Sequence, residues 1–254
     1  MAIPSPTPRT HSGASAHYET LLAELYAWMV GDLETAERAA HDELRRLAVG
    51  PPPPCGRALD LGAGIGLHAI PLAELGWDVT ALDRSPTLLR AIAERSTKVH
   101  LVEGDLVHAA EHVDGQFDLV ICMGDTLTHL DSEDAVDLAV AGAARRLAVG
   151  GQLLLRFRDY VTRTLLGAER FLLVRSDDTR IMTCCLDYET HRVLVTDIVH
   201  DRIDHRWRLR ASSYRKLRLR SDAVVETLIS LGLEVTVVDA SPPWIEIVAV
   251  RPAA

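Results

Sequence analysis

The chain has 254 residues, of which 48% are apolar, which is enough for one large domain or two small ones. It lacks an apolar stretch of the roughly 20 residues that span a membrane, and prolines occupy the place of a signal peptide's apolar segment, so we expect a cytoplasmic protein. The net charge of −9 argues against non-specific binding of nucleic acid. The four cysteines form no CxxC pair, which favours reduced, structural thiols.

The N-terminal fifth of the chain divides into a tail and an arm. Residues 1–16 are predicted to be a flexible tail, and residues 17–54 a helical arm. Apolar residues at helical spacing predict two helices in this arm, broken at Gly31 and Asp32. Four prolines at 51–54 end the arm, because proline cannot continue a helix.

From Arg57 onward, short apolar runs alternate with helical patterns. Ser85 before Pro86 is a typical helix start, and Asp131 with Asp134 resembles a capping box. Alternation of this kind predicts a parallel sheet covered on both faces, here the core domain over 55–158 and 221–254. The predicted strands are 57–61, 78–82, 98–102, 117–122 and 151–157, and the predicted helices are 66–75, 86–95 and 132–147.

The last third of the chain departs from this rhythm. Residues 170–219 contain successive strand patterns without helices, which predicts an antiparallel meander within a lid over 159–220. A helix over 221–232 follows, and then strands 233–239 and 244–250, whose short link requires antiparallel pairing. The predicted fold is α/β: a doubly wound, Rossmann-like, seven-stranded sheet with an antiparallel final strand, a helical arm and an antiparallel β lid.

A glycine-rich turn follows the first core strand. Gly62, Gly64 and Gly66 allow positive φ and close approach of a ligand to the backbone. Asp83 ends the next strand, where a carboxylate can accept hydrogen bonds from a ribose, and Asp105 ends the third. This pattern indicates a nucleoside cofactor. Leu67 stands where a dinucleotide fingerprint has its third glycine, which argues against NAD.

The segments "LDLGAGIG", "EGDL" and "FDLVICMGDTL", together with Asp83, resemble the class I S-adenosylmethionine-dependent methyltransferases over about residues 56–158 and 221–251. This resemblance implies S-adenosyl-L-methionine as the cofactor and no metal. It also implies that Asp83 holds the ribose, that Asp105 and Leu106 meet the adenine, and that the Met123 carbonyl faces the sulfonium. The implied cofactor-binding set is Asp60, Gly62, Ala63, Gly64, Asp83, Arg84, Asp105, Leu106 and Met123.

Three further segments, "AWMVGD", "GDTLTHL" and "RFRDYVTRTL", resemble the glycine and sarcosine N-methyltransferases. By this resemblance Arg158 grips a substrate carboxylate and His129 lies near the cofactor, and both are candidate catalytic residues. Tyr18, Tyr26, Asp125 and Arg158 are the candidate substrate contacts. This chain has Asp125 and Asp159 where that family has asparagine, and an added carboxylate suits an amine or cationic acceptor better than glycine.

Structural roles compete with these assignments. Arg158 is equally placed to pair with Asp159 or Asp125, His129 to cap a helix, and Tyr18 and Tyr26 to pack on a helix face. Tyr160 and Tyr214 are interpreted as packing residues at strand ends. The polar run 200–205 predicts a hairpin turn rather than a metal site, and the basic run 206–220 a solvated strand rather than a site for RNA.

The sequence therefore predicts a methyltransferase that acts on a small molecule, at an amine nitrogen. The alternatives are O- or C-methylation of a secondary metabolite, methylation of nucleic acid, and a non-catalytic protein that binds the cofactor. Membrane partners are not expected, and homo-oligomerisation through the arm stays open.

Overall fold

The computed structural model describes residues 23–253, so the predicted tail, the start of the arm and Tyr18 lie outside the described residues. Two helices lie on either side of the predicted break, α1 (Ala23–Val30) and α2 (Leu33–Arg46). Gly31 has a φ of +89°, which ends α1, and the Asp32 side chain caps α2 by accepting a hydrogen bond from the backbone N–H of Thr35.

A seven-stranded sheet forms the core, in the order β10-β11-β5-β4-β1-β2-β3. Strand β11 is antiparallel to both of its neighbours, and β1 to β5 are parallel to one another. The predicted Rossmann-like sheet with an antiparallel final strand is thus confirmed. Its strands are β1 (Arg57–Leu61), β2 (Asp78–Asp83), β3 (Val99–Glu103), β4 (Phe117–Cys122), β5 (Leu147–Arg158), β10 (Glu234–Asp239) and β11 (Trp244–Val250).

Helices cover both faces of this sheet. Ser85 caps α4 with Pro86 at its first position, as predicted, but Ser132 rather than Asp131 caps α6 through the backbone N–H of Ala135. A 3-10 helix at Leu106–His108 and the short helix α5 were not predicted. The core helices are α3 (Ala69–Glu74), α4 (Pro86–Ala93), α5 (Ala109–His112), α6 (Glu133–Arg146) and α7 (Ser221–Ser230).

The central strands β1, β2 and β4 are mostly apolar because both faces of the sheet are buried there. Leu59 and Val120 pack in one hydrophobic cluster beneath α6 and α7, whereas Ala58 and Leu119 pack in another on the side of α2 and α3. Successive residues of a strand thus enter opposite layers, as the two-residue period of a strand requires.

The predicted meander is a separate four-stranded antiparallel sheet in the order β6-β7-β8-β9, which we call the lid sheet. The turn between β8 and β9 has positive φ at Asp204 and His205, so the polar run ends in a hairpin turn, as expected, while residues 200–203 belong to β8. The lid strands are β6 (Phe171–Ser176), β7 (Arg180–Tyr188), β8 (Arg192–Ile203) and β9 (Arg206–Leu217).

The two helices of the arm pack against different parts of the molecule, α1 against the lid sheet and α2 against the core. In α1, Leu25 joins the hydrophobic cluster of the lid sheet, and Trp28 Nε1 donates a hydrogen bond of 2.6 Å to Asp177. In α2, Leu44 joins a core cluster and Glu43 pairs with His68 at 2.9 Å. The arm therefore connects the lid sheet to the core. Within residues 23–253, no helix has both the length and the apolar character to cross a membrane.

Candidate active site

A cavity of about 650 Å³ lies between the carboxyl ends of the core strands and the inner face of the lid sheet. Every predicted site residue among residues 23–253 lines it. These are Tyr26, Asp60, Gly62, Ala63, Gly64, Asp83, Arg84, Asp105, Leu106, Met123, Asp125, His129 and Arg158. The polar and aromatic wall residues to which the sequence did not assign a site role are His68, Thr126, Arg156, Tyr160, Cys184, Asp197, Tyr214, Lys216 and Trp244.

The glycine-rich turn forms one end of the cavity. The backbone N–H groups of Gly62 and Ala63 donate to the Leu82 carbonyl at 2.8 and 3.1 Å, which ties the turn to β2. Gly62 has a φ of +72°, and a Cβ atom there would overlap the methyl group of Thr126. Glycine is thus required at this position by backbone conformation and by space.

Asp83 links the turn to the start of α4. One carboxylate oxygen accepts from the Gly64 N–H and the other from the Ser85 N–H, both at 2.8 Å. Burial raises the pKa of Asp83, and these backbone donors oppose that rise. Each carboxylate oxygen has two lone pairs, so both can accept a further hydrogen bond from the cavity.

Asp60 is the most deeply buried carboxylate of this end, with 2% exposure. Its Oδ2 atom has no hydrogen-bond partner within the described residues. Burial raises the pKa of Asp60 to about 7; the charge of Asp83 adds to this rise and the charge of His68 opposes it. A buried carboxylate of this kind is stabilised by a cationic group that donates a hydrogen bond to its unpaired oxygen, here Oδ2.

Asp105 and Met123 lie beside the turn on the neighbouring strand ends. The Asp105 carboxylate accepts from the Val107 N–H at 3.0 Å and so caps the 3-10 helix that carries Leu106. The Met123 carbonyl accepts a hydrogen bond of 3.2 Å from the Thr126 hydroxyl. Both groups are therefore held in place by their own loops.

Asp125 organises the other end of the cavity. Its Oδ1 accepts from the Thr128 hydroxyl at 2.7 Å and from the Arg158 backbone N–H at 3.1 Å. Its Oδ2 accepts from the Tyr160 hydroxyl at 2.9 Å and from Lys216 Nζ at 2.6 Å. Burial favours the neutral acid, but Lys216 and these donors outweigh it and lower the pKa of Asp125 to about 2. The carboxylate thus positions Tyr160 and Lys216.

His129 and Tyr214 form a stacked pair at this end, with ring centroids 5.4 Å apart. His129 ends a 3-10 helix (Leu127–His129), and Ser132 caps the following helix, so His129 is not its cap. Tyr160 and Tyr214 were interpreted as packing residues. Both do pack in the lid cluster, but they also line the cavity, which corrects that interpretation.

Arg158 does not make the ion pairs considered for it. The Asp159 carboxylate accepts from Val161 and Thr162, and Asp125 contacts only the backbone of Arg158. The Arg158 guanidinium lies instead 4.6 Å from the centroid of the Trp244 ring. A guanidinium stacked on an aromatic ring keeps its in-plane donors directed outward, and here it lines the cavity.

Tyr26 of α1 covers the glycine-rich turn. A Cβ atom at Gly64 would lie 4.0 Å from its hydroxyl oxygen. Burial raises the pKa of Tyr26, and the charges of Asp83, Asp125 and Asp60 act in the same direction. The arm therefore contributes a neutral phenol to the wall between the two ends of the cavity.

Four of the wall residues that the sequence did not identify come from the lid sheet. Tyr214 and Lys216 occupy alternate positions of β9, and Cys184 and Asp197 are register partners on β7 and β8. Alternation places Tyr214 and Lys216 on one face of a strand. Alternation does not show which face of the strand covers a cavity. Only the packing of the lid sheet on the core shows that.

Residues 58–151 match the family model described as a methyltransferase domain. The glycine/sarcosine N-methyltransferase of Aphanothece halophytica is 35% identical over 108 residues, 41% of each chain. The human glycine N-methyltransferase is 31% identical over 126 residues, 42% of each chain. The match thus spans about two fifths of the length of these relatives.

Solved structures with the same fold cover nearly the whole chain. The CcbJ methyltransferase of Streptomyces caelestis superposes with a TM-score of 0.74 at 22% identity, over 93% of this chain and 98% of that one. The sugar N-methyltransferase KedS8 of Streptoalloteichus superposes with a TM-score of 0.74 at 18% identity, over 100% of this chain and 99% of that chain. Residues 58–151 thus match a methyltransferase domain, the chain as a whole has the fold of solved methyltransferases, and about two fifths of it is distantly homologous to the glycine/sarcosine N-methyltransferases.

Proposed function

We propose that this protein binds S-adenosyl-L-methionine and catalyses transfer of its methyl group to an amine nitrogen of a small molecule. The observation that carries the proposal is the single cavity shared by the glycine-rich turn with Asp83 and by the polar cluster around Asp125. The first set has the chemistry to hold a nucleoside, and the second has the chemistry to orient a polar acceptor.

The residues of the turn end fit this cofactor. The open side of the buried Asp60 carboxylate suits the ammonium group of its methionine part. Asp83 keeps lone pairs for the ribose hydroxyls, and Gly64, with a φ of +57°, allows close approach. Asp105 and Leu106 then remain the residues proposed to meet the adenine, and Arg84 a neighbour at the rim.

At the other end of the cavity, this chain's own residues orient the acceptor and exclude water. When bound, the cofactor supplies an activated methyl group on a sulfonium. The aromatic rings of Tyr160 and Tyr214 flank Lys216, at 5.9 and 5.6 Å from its Nζ atom, and form an electron-rich wall beside the fixed Asp125–Lys216 pair. A neutral amine needs only alignment with the methyl carbon, and an ammonium must first lose a proton. His129 is the proposed proton acceptor.

Oxygen is the second candidate for the accepting atom. The ubiquinone biosynthesis O-methyltransferase of Xanthomonas oryzae is 35% identical to this chain over 103 residues. His129 in the cavity wall would serve a hydroxyl acceptor as the general base. Asp125, with a pKa of about 2, is too weak a base for that step.

Calorimetric titration with S-adenosylhomocysteine, with NAD as the parallel control, tests the cofactor half. We expect binding in the micromolar range for S-adenosylhomocysteine alone. Mass spectrometry of reactions with S-adenosyl-L-methionine and matched pairs of amines and phenols then tests the acceptor half. Methylated phenol without methylated amine would replace nitrogen by oxygen, and failure of the protein to bind S-adenosylhomocysteine would remove the proposal.

A further inference from the structure

A buried carboxylate lies on the inner face of the lid sheet, away from the residues used so far. Asp197 of β8 is 3% exposed and lines the cavity. Its neighbours on the same face of the strand, Val195 and Val199, are fully buried and apolar. Its register partners, Cys184 on β7 and Ser212 on β9, are neutral. The lid face thus carries an acid in a place that packing alone would fill with an apolar residue.

Burial of a carboxylate is unfavourable unless hydrogen-bond donors offset it. The Cys184 thiol donates a hydrogen bond to Asp197, and burial together with this carboxylate raises the pKa of Cys184 to about 12. A carboxylate has about four acceptor positions, so Asp197 can take further donors from the cavity. A buried polar side chain that lines a cavity is typical of a binding site.

The strand register of the lid sheet gives the distance of Asp197 from the Asp125 end of the cavity, where the acceptor is proposed to bind. Along the inner face of β9, Lys216 bonds to Asp125, Tyr214 stacks on His129, and Ser212 pairs with Asp197. Each two-residue step along a strand advances roughly 7 Å. Asp197 is therefore about one step beyond the level of Tyr214 and His129.

We propose that Asp197 binds the methyl acceptor, by accepting a hydrogen bond from a hydroxyl or ammonium group about 7 Å from the methylated nitrogen. This inference rests on the proposed function and deepens it. It makes the acceptor an amine with a second donor at that distance, which is longer than glycine or sarcosine. Arg158, a cation, cannot perform this role, because it offers donors and no acceptor.

Four primary amines test this assignment: 5-aminopentan-1-ol, 1,5-diaminopentane, pentylamine and glycine. The first two carry a distal hydroxyl or ammonium, pentylamine has the same length without it, and glycine is too short. With the wild-type protein we expect kcat/KM for at least one two-donor probe to exceed that for pentylamine and glycine about tenfold or more, since a charge-assisted hydrogen bond has that value. The two-donor probe with the higher kcat/KM shows whether the group that donates to Asp197 is a hydroxyl or an ammonium.

Asp197→Asn should reduce this advantage to below about threefold through KM, with kcat and the affinity for S-adenosylhomocysteine retained. Asp201→Asn is the matched control, because Asp201 is a buried acid on the same strand that pairs with Arg180 and Arg210 outside the cavity. It should keep the preference. If Asp197→Asn does not fold, the comparison of the four amines with the wild-type protein decides the assignment alone.

The proposal is overturned if glycine or pentylamine is methylated as well as the two-donor probes, if the folded Asp197 variant keeps the preference, or if a wild-type protein that binds S-adenosylhomocysteine methylates none of the four. In each of these cases the cofactor half of the proposed function stands. Absence of S-adenosylhomocysteine binding would instead remove the proposed function itself.

Discussion

The two ends of the cavity are built in different ways. The turn end consists largely of backbone groups and carboxylates at strand ends, most of them between residues 60 and 106, and Asp83, Asp105 and the Met123 carbonyl are held by hydrogen bonds to nearby segments. The Asp125 end joins side chains from distant segments, such as Lys216, through a buried ion pair of 2.6 Å. The first end is a local motif, whereas the second exists only when the lid sheet is packed on the core.

Lys216→Met should have the largest effect, because it leaves Asp125 buried without its charge partner. We expect a loss of about 3–5 kcal/mol in the free energy of unfolding, measured by denaturant titration at pH 7. The pKa of Asp125, lowered to about 2, gives stability that is present above the unfolded value near 4 and is lost as the pH falls toward 2. The difference between wild type and variant should therefore shrink toward pH 3.

Arg220→Met is the matched control for Lys216→Met, since it breaks the exposed pair of Arg220 with Asp222. It should leave stability nearly unchanged. Equal losses in both variants would show that the Asp125 end does not depend on its buried pair.

Gly62→Ala tests the backbone construction of the turn end. The positive φ and the overlap with Thr126 should together cost about 1–3 kcal/mol of stability and abolish measurable binding of S-adenosylhomocysteine. Gly232→Ala is the control, because Gly232 has a φ of +79° with no atom within 4 Å of the added Cβ. It should lose some stability and keep full binding. Normal binding by Gly62→Ala would contradict the proposed role of the turn.

Asp83→Ala should weaken binding of S-adenosylhomocysteine by about 1.5–3 kcal/mol, the value of a charge-assisted hydrogen bond to a ribose hydroxyl. Isothermal titration calorimetry measures this loss. Asp78→Ala changes the half-exposed carboxylate at the other end of β2 and should bind as wild type does. An unchanged affinity in Asp83→Ala would reject the ribose assignment.

The smallest expected effect is a pH dependence of cofactor binding. Asp60, with a pKa of about 7, is largely protonated below that pH, and a bound ammonium group favours the ionised form. Affinity for S-adenosylhomocysteine should therefore rise up to about tenfold between pH 6 and pH 8, since one pH unit below the pKa corresponds to that factor. In Asp60→Asn the titration curve should be flat over this range, and an equally steep curve would assign the dependence to another group.

The positions of Gly62, Asp83 and Asp105 at one end of the cavity could be inferred from the sequence, because they follow directly from strand ends and turn chemistry, and their roles toward the cofactor stay predictions. It predicted the strands of the lid but not the cavity-facing roles of Asp197 and Lys216. Those roles depend on strand register and on the packing of one sheet against another, which a single sequence does not contain. Asp125 was identified as an added acid, but its four hydrogen bonds required the folded partners.

The position of β11 has a consequence for folding during synthesis. Strand β11 lies between β5 and β10, yet β5 ends at Arg158 and β11 begins at Trp244, with the whole lid sheet between them. On the ribosome, the edge of the leucine-rich β5 that pairs with β11 therefore stays unpaired until residues 244–250 have been made, while its other edge can pair with β4. The lid hairpins, which are local in sequence, can pair in this interval, and closure of the core sheet is then the final step.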